Sequence, residues 1–296
     1  MKRRFPLLLL TFFSLTFGMV NPLLARRSVP VEKHASHIDT QEIAKEHGAG
    51  WWRRLPKEEK MMCSTATAAA IIGLWGFATW DYASSGFHTT NEGWFAKDTK
   101  YGGADKLGHF WTTYALSDAL TGIYTTWGYQ PRRANAYGAL SAWVVQSAME
   151  LGDGSSKTQG FSWEDMGVNT VGALMSVAME RYPSLDRKID FRVSYLLNVK
   201  MDGIFDDYSN QLYSLVLKLD GFESMNDTLL SYLEVHVGYF TRGYDSREIA
   251  KSRSFFAGIT VNLSKIFREQ GYAKTGKALE YFQLPYTLPY FSYDID

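Results

Sequence analysis

The segment DKLGHF, residues 105–110, predicts a helix with a polar interior in the first half of this chain. Its charged and histidine side chains stand among apolar and aromatic neighbours. Asp105 and His109 are four residues apart, so in a helix they share one face. A carboxylate so placed can orient an imidazole and raise its basicity. Because buried charges are costly unless they are paired, the segment predicts a polar site within a folded core.

A second polar motif follows the apolar residues 134–149, and it includes the segment GFSWED, residues 160–165. Ser-x-x-Asp within that segment is typical of a helix N-terminus. If the helices that carry the two motifs pack together, their polar side chains converge on one site. Those side chains are Asp105, Lys106, His109, Glu150, Asp153, Ser162, Asp165 and Asn169.

Apolar periodicity and helix breakers predict four helices in this half of the chain. They cover residues 64–80, 105–126, 133–150 and 162–181, and Asp105 is the expected cap of the second. Short connections between them favour a helical bundle. The segment 64–80 is rich in small residues and lies at the short end of the length needed to cross a membrane.

Beyond residue 190 the apolar residues alternate with a period of two, which indicates strands. The alternating segments are 215–219, 233–239 and 257–263, with 192–199 as a further candidate. An amphipathic helix is expected from Ser264 to Tyr281. The predicted fold class is therefore α+β: a helical bundle of about four helices, then a small antiparallel β-meander and a C-terminal helix. Outer-membrane barrels need at least eight strands, so this chain could form part of a barrel only by oligomerisation.

The domain prediction has four parts. Residues 1–25 are a signal peptide or N-terminal anchor, 26–60 a polar linker, 61–185 the helical bundle, and 186–296 a β-rich domain. Three basic residues precede an apolar run from Phe5 to Val20, which is the layout of an export signal. No cysteine lies near Ala25, so a lipoprotein attachment site is not expected there. We predict a bacterial cell-envelope protein that faces the periplasm and associates with the inner or outer membrane.

Composition and charge exclude several classes of function. The net charge is zero and no long basic run is present, which argues against nucleic-acid binding. Cys63 is the single cysteine, so neither an intramolecular disulfide nor a cysteine-based zinc site can form. We expect Cys63 to be a small packed residue.

The polar constellation supports three interpretations. Its side chains could neutralise one another structurally, bind a divalent metal ion, or carry out acid–base catalysis. The candidate metal ligands are His109, Glu150, Asp153 and Asp165. The candidate catalytic residues are these four together with Asp105 and Lys106, while Ser162 and Asn169 complete the polar site. No established catalytic motif is present, and no cofactor other than a divalent metal is indicated.

These same motifs resemble those of the YfiM-like proteins. The matching positions are Asp105, Lys106, His109 and Phe110, then Glu150 and Asp153, then residues 160–165 without Glu164, and Gly172. YfiM-like proteins are bacterial envelope proteins of unknown function, often predicted to be periplasmic lipoproteins. A looser likeness extends to VanZ-like membrane proteins. The resemblance covers residues 94–178 and implies an envelope location and a shared helical core, without implying a reaction.

The expected function is that of an exported, membrane-associated envelope protein with a structural or binding role. The alternative is a metal-dependent or histidine/acid hydrolase acting on an envelope lipid or glycan. A membrane lipid or another envelope component is the expected partner, and a homo-oligomer is left open.

Overall fold

The computed structural model describes residues 50–196, 207–244 and 249–296. The predicted signal or anchor, residues 1–25, and residues 26–49 of the predicted linker lie outside the described residues. The chain divides into one unit that ends at Met62 and a second from Cys63 to Asp296. In the first unit, residues 50–54 are helical, and a second helix begins at Lys57.

Four long helices form the first half of the described chain: α1 (Lys57–Thr79), α2 (Ala104–Thr126), α3 (Pro131–Asp153) and α4 (Trp163–Arg181). Pro131 occupies the first turn of α3, where its missing N–H costs nothing. Ser162 caps α4 by accepting a hydrogen bond from the Asp165 amide at 3.2 Å, as the Ser-x-x-Asp pattern predicts. The predicted cap of α2 is wrong, because Gly103 occupies that position and Asp105 lies within the first turn.

Helices α2, α3 and α4 pack against one another through small residues. A side chain at Gly138 of α3 would place its Cβ 2.6 Å from the Ser117 carbonyl oxygen of α2. At Gly172 of α4, the same atom would lie 2.5 Å from the Phe110 carbonyl oxygen. Only glycine permits such close approach at these two points, so the helical backbones and the polar side chains between them lie close together.

Helix α1 differs from the other three in its exposure. Among the described residues it is the one helix long and apolar enough to cross a membrane, and almost none of its apolar stretch is buried. Leu74 and Phe77 are both largely exposed. Cys63 is exposed as well, so the expectation that it packs in the interior is wrong.

Two strands of two residues each lie in the first half of the chain, β1 (Thr89–Thr90) and β2 (Phe161–Ser162). In the described residues of the second half, five antiparallel strands form a meander in which each strand pairs with the next along the chain. The strands are β3 (Ile189–Tyr195), β4 (Gln211–Lys218), β5 (Leu233–Arg242), β6 (Ser252–Val261) and β7 (Tyr290–Asp294). Two short helices, α5 (Pro183–Asp186) and α6 (Glu223–Asn226), lie in the connections. The α+β fold class predicted from the sequence is confirmed.

Two details at the C-terminus differ from expectation. The predicted helix 264–281 is interrupted and becomes α7 (Leu263–Glu269) and α8 (Ala273–Ala278). Gly271 lies between them with a φ of 87°, a left-handed conformation that ends a helix. The aromatic residues near the terminus also supply strand β7, which the alternation of the sequence did not reveal.

The bundle and the sheet meet where α2 lies against β3. Ala104 and Leu107 of α2 pack with Val193 and Tyr213, and Tyr114 packs with Phe191 and Tyr281 further along. A two-residue parallel ladder between β1 (Thr89–Thr90) and β2 (Phe161–Ser162) joins the loop before α2 to the start of α4. This ladder brings the loop of residues 83–103 to the polar interior of the bundle.

Candidate functional site

Lys106 stands at the centre of the polar interior. Its side chain is 1% exposed, and its ammonium group contacts three carboxylates. Nζ lies 2.8 Å from Glu92 Oε2, 2.8 Å from Asp105 Oδ2 and 2.8 Å from Asp165 Oδ1. Although burial lowers the pKa of Lys106, the surrounding carboxylates raise it further, so the ammonium is charged at neutral pH.

His109, one turn after Asp105 on α2, faces the carboxylates of Glu150 and Asp165. Its Nδ1 lies 3.5 Å from Glu150 Oε1, and its Nε2 lies 3.9 Å from Asp165 Oδ1. Both distances exceed those of good hydrogen bonds. One ligand atom from each of His109, Glu150 and Asp165 can be chosen so that all three lie within 4.8 Å of one another.

Glu150 is buried, and one of its two carboxylate oxygens has no hydrogen-bond partner. Its Oε2 accepts a hydrogen bond from the Ser162 amide at 3.3 Å. Its Oε1 and the facing His109 Nδ1 are both inaccessible to solvent, and neither has a hydrogen-bond partner in the described structure. Burial, reinforced by the Asp165 and Asp153 carboxylates, raises the pKa of Glu150 to about 9.

Each helix contributes a defined part of this site. Helix α2 supplies Lys106 and His109 from consecutive turns, and α3 supplies Glu150 from its last turn. Asp165 comes from the first turn of α4, where a carboxylate is favoured by the helix dipole. Although burial raises the pKa of Asp165, His109 and Lys106 lower it below its ordinary value.

Negative charge exceeds positive charge in this interior. Four carboxylates surround Lys106 and His109: those of Glu92, Asp105, Glu150 and Asp165. The Lys100 ammonium also lies 3.9 Å from Glu92 Oε1, so two of these negative charges have no counterpart when His109 is neutral and one when it is protonated. An excess of buried carboxylates needs either bound protons or a bound cation.

The carboxylates form two groups with different partners. Glu92, Asp105 and Asp165 come close enough to hold a metal ion, but the Lys106 ammonium contacts all three. This first group therefore already has its cation. The second group, His109 with Glu150 and Asp165, has an unpartnered carboxylate oxygen and an unpartnered ring nitrogen facing each other. The second group is the one whose donor atoms are available to a metal.

Most of the candidate residues lie in or beside this interior. Asp105 contacts Lys106 rather than holding His109, and Ser162 contributes its amide to Glu150. Asn169 lies one turn from Asp165, where its Oδ1 accepts from Thr113 at 2.9 Å. Asp153 is buried at the end of α3 but belongs to neither group of potential metal ligands, and burial raises its pKa to about 7.

Glu92 is the residue that sequence reasoning missed. It lies before α2 in a loop where the Asn91 side chain accepts from the Gly93 amide at 3.0 Å. Burial raises the pKa of Glu92 to about 7 despite the neighbouring Lys106. The available signal was weak, because the loop holds two acidic residues, Glu92 and Asp98, and only the turn-forming neighbours Asn91 and Gly93 set Glu92 apart. Glu92 lies in a loop and not on a helix with the other polar residues, so helical periodicity could not connect it to the site.

The sheet contains a second buried charge cluster that the sequence motifs did not identify. Arg192 of β3 donates two hydrogen bonds to Glu234 of β5, at 2.8 and 2.6 Å, and also contacts Asp190. Lys218 of β4 donates to Asp190 and, at 2.9 Å, to the Asp186 carbonyl oxygen. His236 Nε2 lies 3.6 Å from Glu234 Oε2. The two cations and two carboxylates balance one another.

Residues 91–181 match a family model described as predicted periplasmic lipoprotein (DUF2279). The match begins at the loop that holds Glu92 and ends with α4, so it includes both carboxylate groups and the whole of α2, α3 and α4. No curated protein and no solved structure matches the chain. The predicted export to the cell envelope, with membrane association, is confirmed by this match, while the specific YfiM-like and VanZ-like assignments stay predictions.

The family description names a lipoprotein, but this sequence has no cysteine directly after its apolar N-terminal run to which a lipid could be attached. The single cysteine is Cys63, and it lies in α1 rather than after the apolar N-terminal run. The chain is an exported, envelope-associated protein, and its residues 91–181 are similar to a family of unknown function.

Proposed function

We propose that this envelope protein binds one divalent metal ion in its helical bundle, through His109, Glu150 and Asp165. The observation that carries the proposal is the buried, unpartnered Glu150 Oε1, which faces the unpartnered Nδ1 of His109 at 3.5 Å. Two ligands bound to a single zinc ion at tetrahedral angles lie about 3.4 Å apart. A metal between the two atoms would satisfy both at once.

The donor set and the charge support the same proposal. An imidazole with carboxylates suits zinc or manganese, whereas calcium and magnesium prefer oxygen ligands alone. A divalent cation would also neutralise the two negative charges that Lys106 and Lys100 leave over when His109 is neutral, as a metal-binding imidazole must be. The purely structural alternative requires a proton on Glu150 instead, and the distance to His109 is too long for that proton to form a good hydrogen bond.

Metal analysis of the purified full-length protein tests this proposal. We expect about one equivalent of zinc or manganese in the wild type and its loss in His109→Ala. His88→Ala is the matched control, because His88 is exposed and outside both carboxylate groups, and it should retain the metal. A wild type that takes up no metal after incubation with either ion, and that loses only thermal stability on His109→Ala, would leave the interior a structural network.

A second candidate function is a metal-dependent hydrolase acting on an envelope lipid or glycan. The favouring observation is the number of ligands: three protein ligands leave one position of a tetrahedral ion open for water, as in catalytic zinc sites. The test is product release from purified envelope phospholipid or peptidoglycan by metal-loaded wild type. Activity that persists in the Glu150→Gln variant would exclude this site as its origin.

A further inference from the structure

The β-meander buries both apolar and charged side chains on its covered face and exposes apolar side chains on the other face. The exposed apolar side chains come from alternate positions of four neighbouring strands: Leu215, Leu217, Val237, Phe255, Ile259 and Phe291. The opposite face buries Arg192, Lys218 and Glu234 beside an apolar cluster that includes Leu212, Phe240 and Phe256. An antiparallel sheet with one face in water normally carries polar side chains on that face, so the apolar exposed face is the unusual feature.

This exposed face is continuous across the strands. Leu215, Val237, Ala257 and Phe291 are direct cross-strand neighbours and form one unbroken apolar row. Phe291 is 90% exposed, and Ile259 in an adjacent row is 57% exposed. A contiguous apolar surface of this kind marks a binding surface rather than a scatter of single residues.

The same face forms one wall of a groove. A cavity of about 820 Å³ lies between it and α2, where Leu107, Phe110 and Trp111 provide the other wall. Its volume is within the range of about 300–1,000 Å³ that is typical of small-molecule sites. The side chains around it are almost all aliphatic or aromatic, so its chemistry suits hydrocarbon.

The charge distribution and the length of the exposed face indicate which kind of molecule binds there. Between Leu215 and Phe291 the outward positions carry no charge. The first charged one is Arg253 at the start of β6, and it is paired with Asp296. Phe255 and Tyr293 stand in the row beside Arg253, as aromatic and basic residues do where hydrocarbon meets headgroups. The exposed outward side chains of β6 run from Phe255 to Val261, about 20 Å at 3.3 Å per residue, which exceeds half the thickness of about 30 Å of a bilayer core.

We infer that the exposed face of the meander and its groove contact the acyl chains of membrane lipids. The uncharged surface, its aromatic and basic border and its length all complement hydrocarbon. The confirmed membrane association of the protein brings this surface within reach of a bilayer. The inference is independent of the metal site, because His109 faces α3 and α4 whereas Leu107, Phe110 and Trp111 of the same helix face the sheet.

The test is fluorescence quenching of the full-length protein in vesicles of phosphatidylethanolamine and phosphatidylglycerol. With Cys63 replaced by serine, a fluorophore is attached to Ile259→Cys on the exposed face. The matched control is Leu229→Cys, because Leu229 is 87% exposed but lies outside the sheet. We expect lipids with a nitroxide on the acyl chain to quench the label at 259 several-fold more strongly than the label at 229. Iodide in the water should show the opposite order.

Two results would overturn the inference. A label at 259 that iodide quenches as strongly as at 229 would mean that the face is in water. A label protected from both quenchers would mean that protein covers the face, as in a dimer of this chain. Because Ile259→Cys alone could disturb folding, the measurement is repeated with Val237→Cys in the neighbouring strand, and the two positions must agree.

Discussion

The bundle and the sheet each bury a cluster of charged side chains, and the two clusters are built differently. In the sheet, Arg192 and Lys218 meet Asp190 and Glu234, and short hydrogen bonds join them. In the bundle, Lys106 and His109 meet four carboxylates, and Glu150 Oε1 has no hydrogen-bond partner. The sheet cluster balances its own charges and leaves one ring nitrogen, His236 Nε2, without a hydrogen bond, whereas the bundle cluster has an excess of carboxylates that only a proton or a cation can neutralise.

This difference separates a structural network from a ligand site. A buried ion pair that is balanced and hydrogen-bonded stabilises its surroundings only while both partners remain. A cluster with surplus charge and unpartnered atoms is costly on its own and becomes favourable when a cation binds. Because both clusters are almost completely buried, burial alone does not distinguish them. The sum of charges does, and so do the carboxylate oxygens, which lack hydrogen-bond partners only in the bundle cluster.

The largest effect is expected where the balanced cluster is broken. Glu234→Gln leaves Arg192 without its bidentate partner and should lower the free energy of unfolding by about 3–5 kcal/mol. Glu269→Gln is the control, because it removes an exposed ion pair with Lys265 and should cost less than about 1 kcal/mol. Denaturant unfolding of both variants measures the difference. Equal costs would show that the sheet cluster contributes no more than a surface pair.

The second effect is stabilisation of the bundle by a cation. Zinc or manganese at a hundredfold excess over its dissociation constant should raise the free energy of unfolding by about 2.7 kcal/mol. The gain should be present in the wild type and in Glu269→Gln, and absent in Glu150→Gln. Unfolding measured with the metal and with a chelator gives the comparison. A gain that survives in Glu150→Gln would place the bound cation elsewhere.

A smaller effect is expected from Glu150→Gln in metal-free protein. Burial and the neighbouring carboxylates raise the pKa of Glu150 to about 9, so without a cation the side chain is already neutral at pH 7. An uncharged amide can still accept from the Ser162 amide, and the cost should stay below about 1 kcal/mol. The same substitution at Glu234 is expected to cost several times more, so similar costs at the two positions would remove the distinction between the clusters.

The smallest effect concerns pH. Although burial raises the pKa of Glu234, His236 and Arg192 lower it below its ordinary value of 4.5. A lowered folded-state pKa gives stability that is present above pH 4.5 and lost as the pH falls through the folded value. The stability difference between wild type and Glu234→Gln should therefore be largest near neutral pH and shrink below pH 4.5. Unfolding at several pH values tests this prediction. A stability difference that grows as the pH falls would contradict it.

The spacing of residues was sufficient for much of the candidate site. Asp105 and His109 share a helical face, and Ser162 with Asp165 marks a helix start, so the convergence of α2, α3 and α4 was predictable. Glu92 was not, because it reaches Lys106 only through the β1–β2 ladder, a contact between distant segments. Each strand of the ladder is two residues long, which is too short to show an alternation of apolar and polar residues in the sequence.

The sequence by itself determined the four long helices, four of the five described strands and all the polar residues of the site except Glu92. Helical and strand periods depend on local backbone geometry, which a short segment already expresses. The tertiary structure alone decided which carboxylates Lys106 neutralises, that Glu150 is left unpartnered, and that the meander exposes its apolar face. Pairing and burial depend on side chains far apart in the chain, and period-two alternation is the same whichever face of a sheet is covered.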